Sequence, residues 1–365
     1  MRLLHYDGDG NLSLTEFFES DRPKYAILSH RWETEEYTFN DLREGVGWDK
    51  AGNEKVRRCE VQARKDGLEY FWAINSMYEW YKQSTFCYAD LSDVNVEFFS
   101  EDCRASLWFK RGWTLQELIA PETVHVFDMA WDELGSRTDL CEVIASTTSI
   151  SKNVLRYPSR LPSYSVAQRM SWAADRETTR EEDAAYSLLG IFQTHMALFY
   201  GERMGAFTRL QEEIIKRSTD DSILAWGLDT QPSNTMDIPE YVAKGSKRPW
   251  TIRGLLAASP ADFKNCGMVR YDVNPSSAYT MSNFGLEIQL SCASDGNRSV
   301  QNTGEQVADE SEQGLTTHTS GIGLLQCTGS KGTELFGIHL SNFRDGNRCD
   351  RLLSPSEAAT VLVNA

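Results

Sequence analysis

The sequence predicts an α/β fold: a parallel sheet with helices on both faces over residues 1–130, then a helical extension, then a β-rich C-terminal region. Two observations predict the first part. Short apolar runs alternate with helix-period segments up to residue 130, and each run is compact enough to be a strand buried on both faces. A third observation sets the scale. The 365-residue chain is 41% hydrophobic and 11% aromatic, enough for a sizeable core and about two domains.

Taken in order, Tyr25–Ser29 is an apolar run that reads as a buried strand. From Asn53 to Lys65, Val56, Cys59 and Ala63 recur at helical spacing, and Gly67 supplies the stop. Leu68–Trp72 is aromatic and strand-like. Ile74, Met77, Tyr78 and Tyr81 fall at i, i+3, i+4 and i+7, the pattern of an amphipathic helix. Thr85–Leu91 reads as a strand, Thr114–Ala120 as a short helix stopped by Pro121, and Thr123–Phe127 as another strand.

Residues 131–226 are expected to be helical throughout. Thr178–Glu181 has the spacing of a capping box, and the charge run from Asp175 to Asp183 reads as a solvated helix start. A second amphipathic helix is expected over Tyr200–Arg217, with Met204, Phe207, Leu210 and Ile214 on one side. Residues 227–250 carry Pro, Gly and Ser punctuation and read as a linker. Beyond it, Tyr279–Met281, Leu286–Leu290, Gly323–Cys327 and Leu335–Leu340 read as strands. The polar stretch 293–321 is expected to be a mobile loop. The expected units are therefore 1–130, 131–226 and 227–365.

Composition narrows the function. With 37 Lys and Arg against 53 Asp and Glu, the formal charge is −16. Such a chain is repelled by phosphate backbones and anionic lipid, which argues against a nucleic-acid or membrane-surface binder. No apolar run reaches the roughly 18 residues needed to span a bilayer. Met1–Asp7 turns polar at once, so no signal peptide is expected, and none of the eight Cys forms a C-x-x-C pair. These readings point to a cytoplasmic, reducing location with free thiols and no metal site.

Residues 5–16 come close to calcium-loop spacing, with Asp7, Asp9, Gly10, Leu12 and Glu16 at the corresponding positions. His5 stands where the first Asp is needed, and only four residues precede it. A Gly-rich turn between two short strands is the expected structure. P-loop, dinucleotide-fingerprint, nucleophile-elbow and zincin motifs are all missing.

The remaining candidates lie at strand ends, where open parallel sheets bind ligands. Ser29, His30, Arg31 and Trp32 follow the first buried strand. Arg31 either meets an anionic ligand or pairs with Glu33, Glu35 or Glu36, and Trp32 either stacks on a base or packs. Asp90 sits likewise after the 85–89 run. Trp113 and Glu117 are i, i+4 on one helix, so they share a face. A carboxylate walled by indole suits acid–base or nucleophilic work. On spacing alone, a helix Glu paired to Lys110 or Arg111, with Trp113 in the core, is the stronger reading.

Three segments together carry a family resemblance: Tyr25–Trp32, the run from Ala73 through Val94, and Arg111–Pro121. They resemble the fungal heterokaryon-incompatibility (HET) domain, and Glu182–Phe192 looks like what commonly follows it. HET domains are regarded as remote relatives of TIR domains, which are flavodoxin-like α/β modules, some of which cleave NAD at the nicotinamide glycosidic bond. The resemblance thus implies a TIR/flavodoxin-like domain in fungal self/non-self recognition and regulated cell death. It places Glu117 as the catalytic glutamate of an NAD glycohydrolase. Ser29, His30, Arg31, Trp32, Asp90, Arg111 and Trp113 would line the ligand, with Arg31 facing the pyrophosphate. No resident cofactor is implied; NAD is the candidate substrate. The implied partners are a second copy of the chain or other incompatibility proteins. One departure stands out. The family's W-I-D and Cys segment after the second strand has no counterpart, since Trp72 runs straight into Ala73. That favours the alternative implication, a non-enzymatic signalling module acting by self-association.

Overall fold

The computed structural model describes residues 1–6, 12–73, 78–95, 99–228, 251–253, 256–271, 280–282, 285–287, 291–292, 320–328, 335–341, 350–353 and 360–361. The chain divides into two compact units. The first comprises residues 1–164, 169–214 and 259–261, and the second 165–168, 215–258 and 262–365. Residues from both sides of the expected boundary at 130 thus share the first unit.

The first unit is built on a seven-stranded sheet: β1 (Arg2–Tyr6), β2 (Leu12–Glu16), β3 (Tyr25–His30), β4 (Tyr70–Trp72), β5 (Phe86–Asp90), β6 (Val124–Phe127) and β7 (Glu133–Ser136). The spatial order is β2-β1-β4-β3-β5-β6-β7. Its centre, β4-β3-β5-β6, is parallel as the alternating pattern predicts. Antiparallel strands extend both edges. β1 and β2 form a hairpin in which Arg2 pairs Glu16 and Tyr6 pairs Leu12. Strand pairing thus accounts for the near-calcium spacing on either side; its turn, 7–11, lies outside the described residues. β7 pairs antiparallel with β6, which corrects the all-helical expectation for residues 131–226.

Both faces of the sheet are covered by helices. Successive strand side chains point to opposite faces, yet every residue from Tyr25 to Ser29 is buried. Helix α1 (Phe39–Glu44) opens on a true capping box. Thr38 Oγ1 accepts from the Asp41 amide, and Asp41 accepts from the Thr38 amide. Helix α2 (Ala51–Lys65) packs on β3 and β4, burying Val56, Cys59 and Ala63 as predicted. Gly67, at φ +75°, turns the chain into β4 in a conformation that L side chains rarely adopt. Helices α3 (Tyr78–Lys82), α4 (Phe99–Ala105) and α5 (Thr114–Ile119) follow. The predicted start of α3, residues 74–77, lies outside the described residues.

Parity along the strands assigns the faces. Ser29 Oγ on β3 and Cys87 Sγ on β5 both bond to Glu117 of α5, through its carboxylate and its carbonyl respectively. Tyr88, one residue on, instead donates to Asp66 at the end of α2. Odd-numbered residues of β3 and β5 therefore face α5, and even-numbered ones face α2.

Helices α6 (Cys141–Thr148), α7 (Lys152–Arg156) and α8 (Val166–Ser171) continue the chain. The Thr178–Glu181 capping box does not form. Thr178 donates to the Arg180 carbonyl, and helix α9 is only the single turn Asp183–Tyr186. In the charge run before it, Asp175, Glu177, Arg180 and Glu181 are exposed as expected, but Glu182 and Asp183 are buried and the helix begins only at Asp183. Helix α10 (Gly205–Ile215) buries Phe207, Leu210 and Ile214 on one side, as its periodicity requires.

In the second unit, Ile223, Leu224, Trp226, Phe263, Cys266 and Val269 are buried. The strand Ser320–Thr328 pairs antiparallel with Leu335–Ser341, which continues to Asp350–Leu353 and Thr251–Arg253. Thr280–Ser282 and Gly285–Glu287 pair antiparallel with each other as a separate two-stranded sheet. Residues 229–250 of the expected 227–250 linker and 293–319 of the expected 293–321 loop lie outside the described residues.

Candidate functional site

A cleft of about 550 Å³ opens at the carboxyl end of β3. That volume is typical of small-molecule sites. Ends of parallel strands recruit ligands because backbone groups there have no further strand to pair with, and crossovers to either side leave a crevice. The order β4-β3-β5 puts such a crossover at β3.

Glu117 forms part of the cleft wall yet is only 5% exposed. The Ser29 hydroxyl donates to its Oε2 at 2.5 Å, and Trp108 Nε1 donates to Ser29 Oγ at 3.0 Å. The expected partners Lys110 and Arg111 are not the residues that hold this carboxylate. Beneath the start of α5, Arg176 donates to the Arg111 carbonyl at 2.8 Å and to Thr114 Oγ1 at 3.0 Å. Burial pulls the Arg176 guanidinium down to about 9, and the negative charge of Glu117 opposes that pull. It remains a cation at neutral pH.

A strap at residues 176–183 forms the opposite wall, and no signal in the sequence pointed to it. Glu177 bridges Arg111 in a parallel sense, with Gly112 N–H to Glu177 O at 2.8 Å and Glu177 N–H to Lys110 O at 2.6 Å. The strap reaches this close because residue 112 has no side chain. A Cβ there would stand 2.5 Å from Thr178 Cγ2. Arg111 Nη1 donates to Thr179 Oγ1 at 3.1 Å. The Arg180 guanidinium lies 4.3 Å over the Tyr200 ring, whose hydroxyl donates to Asp183 at 3.1 Å. Arg111, Thr179, Arg180, Asp183 and Tyr200 all line the cleft.

The apolar side is made by Leu28, Trp72, Ala73, Tyr81 and Trp113, with Trp32 at 57% exposure and His30 beside it. Tyr81 donates to the Leu28 carbonyl at 3.0 Å, fixing α3 to the end of β3. Trp72 and Ala73 are both buried in the wall where the family segment is missing. Residues 74–77 lie outside the described residues.

Of the residues singled out from sequence, Glu117, Trp113, Arg111, Trp32 and His30 meet in this cleft. Three others do not line it. Ser29 is fully buried and bonds to Glu117 instead. Arg31 is turned toward Glu33 at 3.4 Å, one of the pairings its neighbours allowed. Asp90 is on the α2 side by strand parity. Burial pushes its carboxyl up to about 6, against the pull of His30, Lys55 and Arg58. His30 is held by Glu36 at 3.2 Å, and Lys55 donates to Glu36 at 2.9 Å and to the Arg31 carbonyl at 3.1 Å. Burial would raise the Glu36 carboxyl, but the bonds from His30 and Lys55 outweigh it and hold it at about 2. Among the described residues, no group of three His, Cys, Asp or Glu is placed to hold a metal ion, and no helix is long and apolar enough to cross a membrane.

The first unit is an α/β domain with a pocket at its strand ends, walled by indoles and two arginines around a buried carboxylate. The chain is 42% identical over 253 residues to the vegetative incompatibility protein HET-E-1 of Podospora anserina. That match covers 62% of this chain and 18% of the relative, so the chain spans less than a fifth of that protein's length. Over that region the chain is similar to a fungal heterokaryon-incompatibility protein. Residues 205–292 match a family described as a domain of unknown function (DUF8212). No solved structure matches.

Proposed function

We propose that this protein acts in fungal self/non-self recognition and regulated cell death, and that its cleft hydrolyses NAD at the nicotinamide glycosidic bond through Glu117. One observation carries the reading. A buried carboxylate at the end of the central parallel strand opens into a cleft whose walls also bring Arg111, Arg180, Trp32 and Trp113. Dinucleotides need this combination, cations for the diphosphate and flat rings for the bases. The parallel order β4-β3-β5-β6 supports a flavodoxin-like, and hence TIR-like, reading of the domain.

In the proposed reaction the bond between ribose C1′ and the pyridinium nitrogen breaks, and its electron pair leaves with neutral nicotinamide. Positive charge builds on C1′ and the ring oxygen. The Glu117 carboxylate stabilises that charge and orients the ribose hydroxyls. Water adds its oxygen to C1′ and releases a proton to solvent. Arg111 and Arg180 take the diphosphate in place of Arg31.

The test is nicotinamide release by the purified protein. Wild type is expected to turn over, with Glu117→Gln slower by about 100-fold or more. Equal turnover in both removes Glu117 from the mechanism. A second reading, a non-enzymatic module that self-associates or binds other incompatibility proteins, is favoured by one surface feature. Leu198, Phe199 and Tyr200 are consecutive and exposed at 51%, 60% and 50%. Concentration-dependent assembly of wild type without any nicotinamide release would select it.

A further inference from the structure

The face of β3 toward α5 holds a chain of three buried side chains whose polarity is set by proton count. The Trp108 indole is donor only. Its Nε1–H donates to Ser29 Oγ at 3.0 Å. The serine has one proton, and its bond reaches Glu117 Oε2 at 2.5 Å. The indole occupies one lone pair of the hydroxyl, so the serine proton is free to point along the short bond. An ionised carboxylate is the acceptor that this arrangement suits.

All three groups are out of water. Ser29 is fully buried, Trp108 is 2% exposed and Glu117 5%. A serine in this position contributes no packing that alanine would not largely replace. Other bonds hold the frame around it. Ser106 Oγ donates to Asp93 at 2.7 Å, the Leu107 amide donates to the other Asp93 oxygen at 2.7 Å, and Thr114 Oγ1 lies 2.5 Å from the Trp108 carbonyl. The backbone that carries the indole is therefore held independently of Ser29.

We infer that Ser29, oriented by Trp108, is a positioning residue that fixes the Glu117 carboxylate in the cleft wall through the bond to its Oε2. The inference rests on the NAD-hydrolysing reading of the cleft, and it extends that reading to two residues that touch no substrate. A positioning role differs from a packing role in its signature. Losing the hydroxyl removes a donor to the charged form, so the carboxyl titrates at higher pH. The acid limb of the rate profile then moves the same way.

The experiment compares wild type, Ser29→Ala and Trp108→Phe. The Glu carboxyl carbon is labelled with ¹³C and Glu117→Gln assigns the resonance. Each variant is titrated by NMR, and nicotinamide release is followed against pH. Ser29→Ala is expected to raise the titration midpoint of Glu117 and shift the acid limb upward. It should lower kcat about tenfold or more with a much smaller change in KM. Trp108→Phe keeps an aromatic ring, though a smaller one, and drops the indole N–H, and a smaller shift of the same sign is expected; it serves if Ser29→Ala does not fold. An unchanged midpoint in a folded variant overturns the inference. If wild type releases no nicotinamide, the hydrolase reading fails while the titration still decides the serine bond.

Discussion

Arg137 offers the sharpest test of how the fold holds the site. Its side chain is 1% exposed and carries a charge into the core, an arrangement that persists only when hydrogen bonds compensate. The guanidinium donates to the carbonyls of Leu118 at 2.6 Å, Pro121 at 2.9 Å and Glu122 at 2.8 Å. These are the last carbonyls of α5 and the turn after it, which have no helical partner. One side chain from beyond β7 thus terminates the helix that bears Glu117. Bonds to a charged group contribute about 1.5–3 kcal/mol each, so three give about 5–9 kcal/mol. Burial opposes this, pulling the group from 12.5 down to about 10. At about 1.4 kcal/mol per unit, that offset is about 3 kcal/mol. The net is about 2–6 kcal/mol. Arg137→Met fills the same channel but leaves the buried carbonyls of Leu118 and Pro121 and the part-buried carbonyl of Glu122 without this partner, and a loss of about 4 kcal/mol is expected. Urea unfolding at pH 7, followed by tryptophan fluorescence, measures it. Arg137→Lys, which reaches fewer carbonyls, is expected to fall between the two. A loss under about 1 kcal/mol for Arg137→Met would show that water or a shifted turn satisfies the carbonyls, and the account of helix termination would be wrong.

Two further outcomes follow from the same physics. Burial raises the Asp90 carboxyl from 3.8 to about 6, so the folded state holds a proton there that the unfolded chain has released. Stability is then lost as pH rises from about 4 to 6. Asp90→Asn removes that loss. Its melting temperature should exceed wild type at pH 7 and the gap should close toward pH 4; parallel curves would contradict it. Gly112→Ala brings a Cβ 2.5 Å from Thr178 Cγ2 and should cost about 1–3 kcal/mol; on the proposed NAD-hydrolysing reading it should also weaken NAD binding in calorimetry. Adding Thr178→Ser, which keeps the hydroxyl and drops that methyl, should restore much of both; no rescue would place the strain elsewhere.

Much of the sheet was legible because its code is local. The run Tyr25–Ser29 is apolar without alternation, which only a strand covered on both faces tolerates, and that is what β3 is. The spacing of Val56, Cys59 and Ala63 marked the buried stripe of α2 just as directly. The region after 130 was harder. Glu133–Ser136 has no strong strand composition; it is a strand because the edge of β6 is there to pair with. The Thr178–Glu181 spacing matched a capping box, yet the backbone of 177 pairs with that of 110–112, and this tertiary contact outweighs a local preference.

The site divides along the same line. Glu117 and Trp113 share a helix, so their kinship is written in a spacing of four, and the placement of His30 and Trp32 after a buried run follows from chain order alone. Arg31 and Asp90 met the same positional criterion and still stand apart from the cleft. One turns to Glu33, and the other is buried beside Lys55 and Arg58 of α2. Linear order carries the period of each element, since that depends on neighbours within a turn or a pleat. It carries no record of which distant segment closes the pocket. That Ser29 meets Glu117 across 88 positions, and that Arg180 arrives on a strap admitted by a glycine, was decided when the layers packed, because only packing brings such residues within bonding distance.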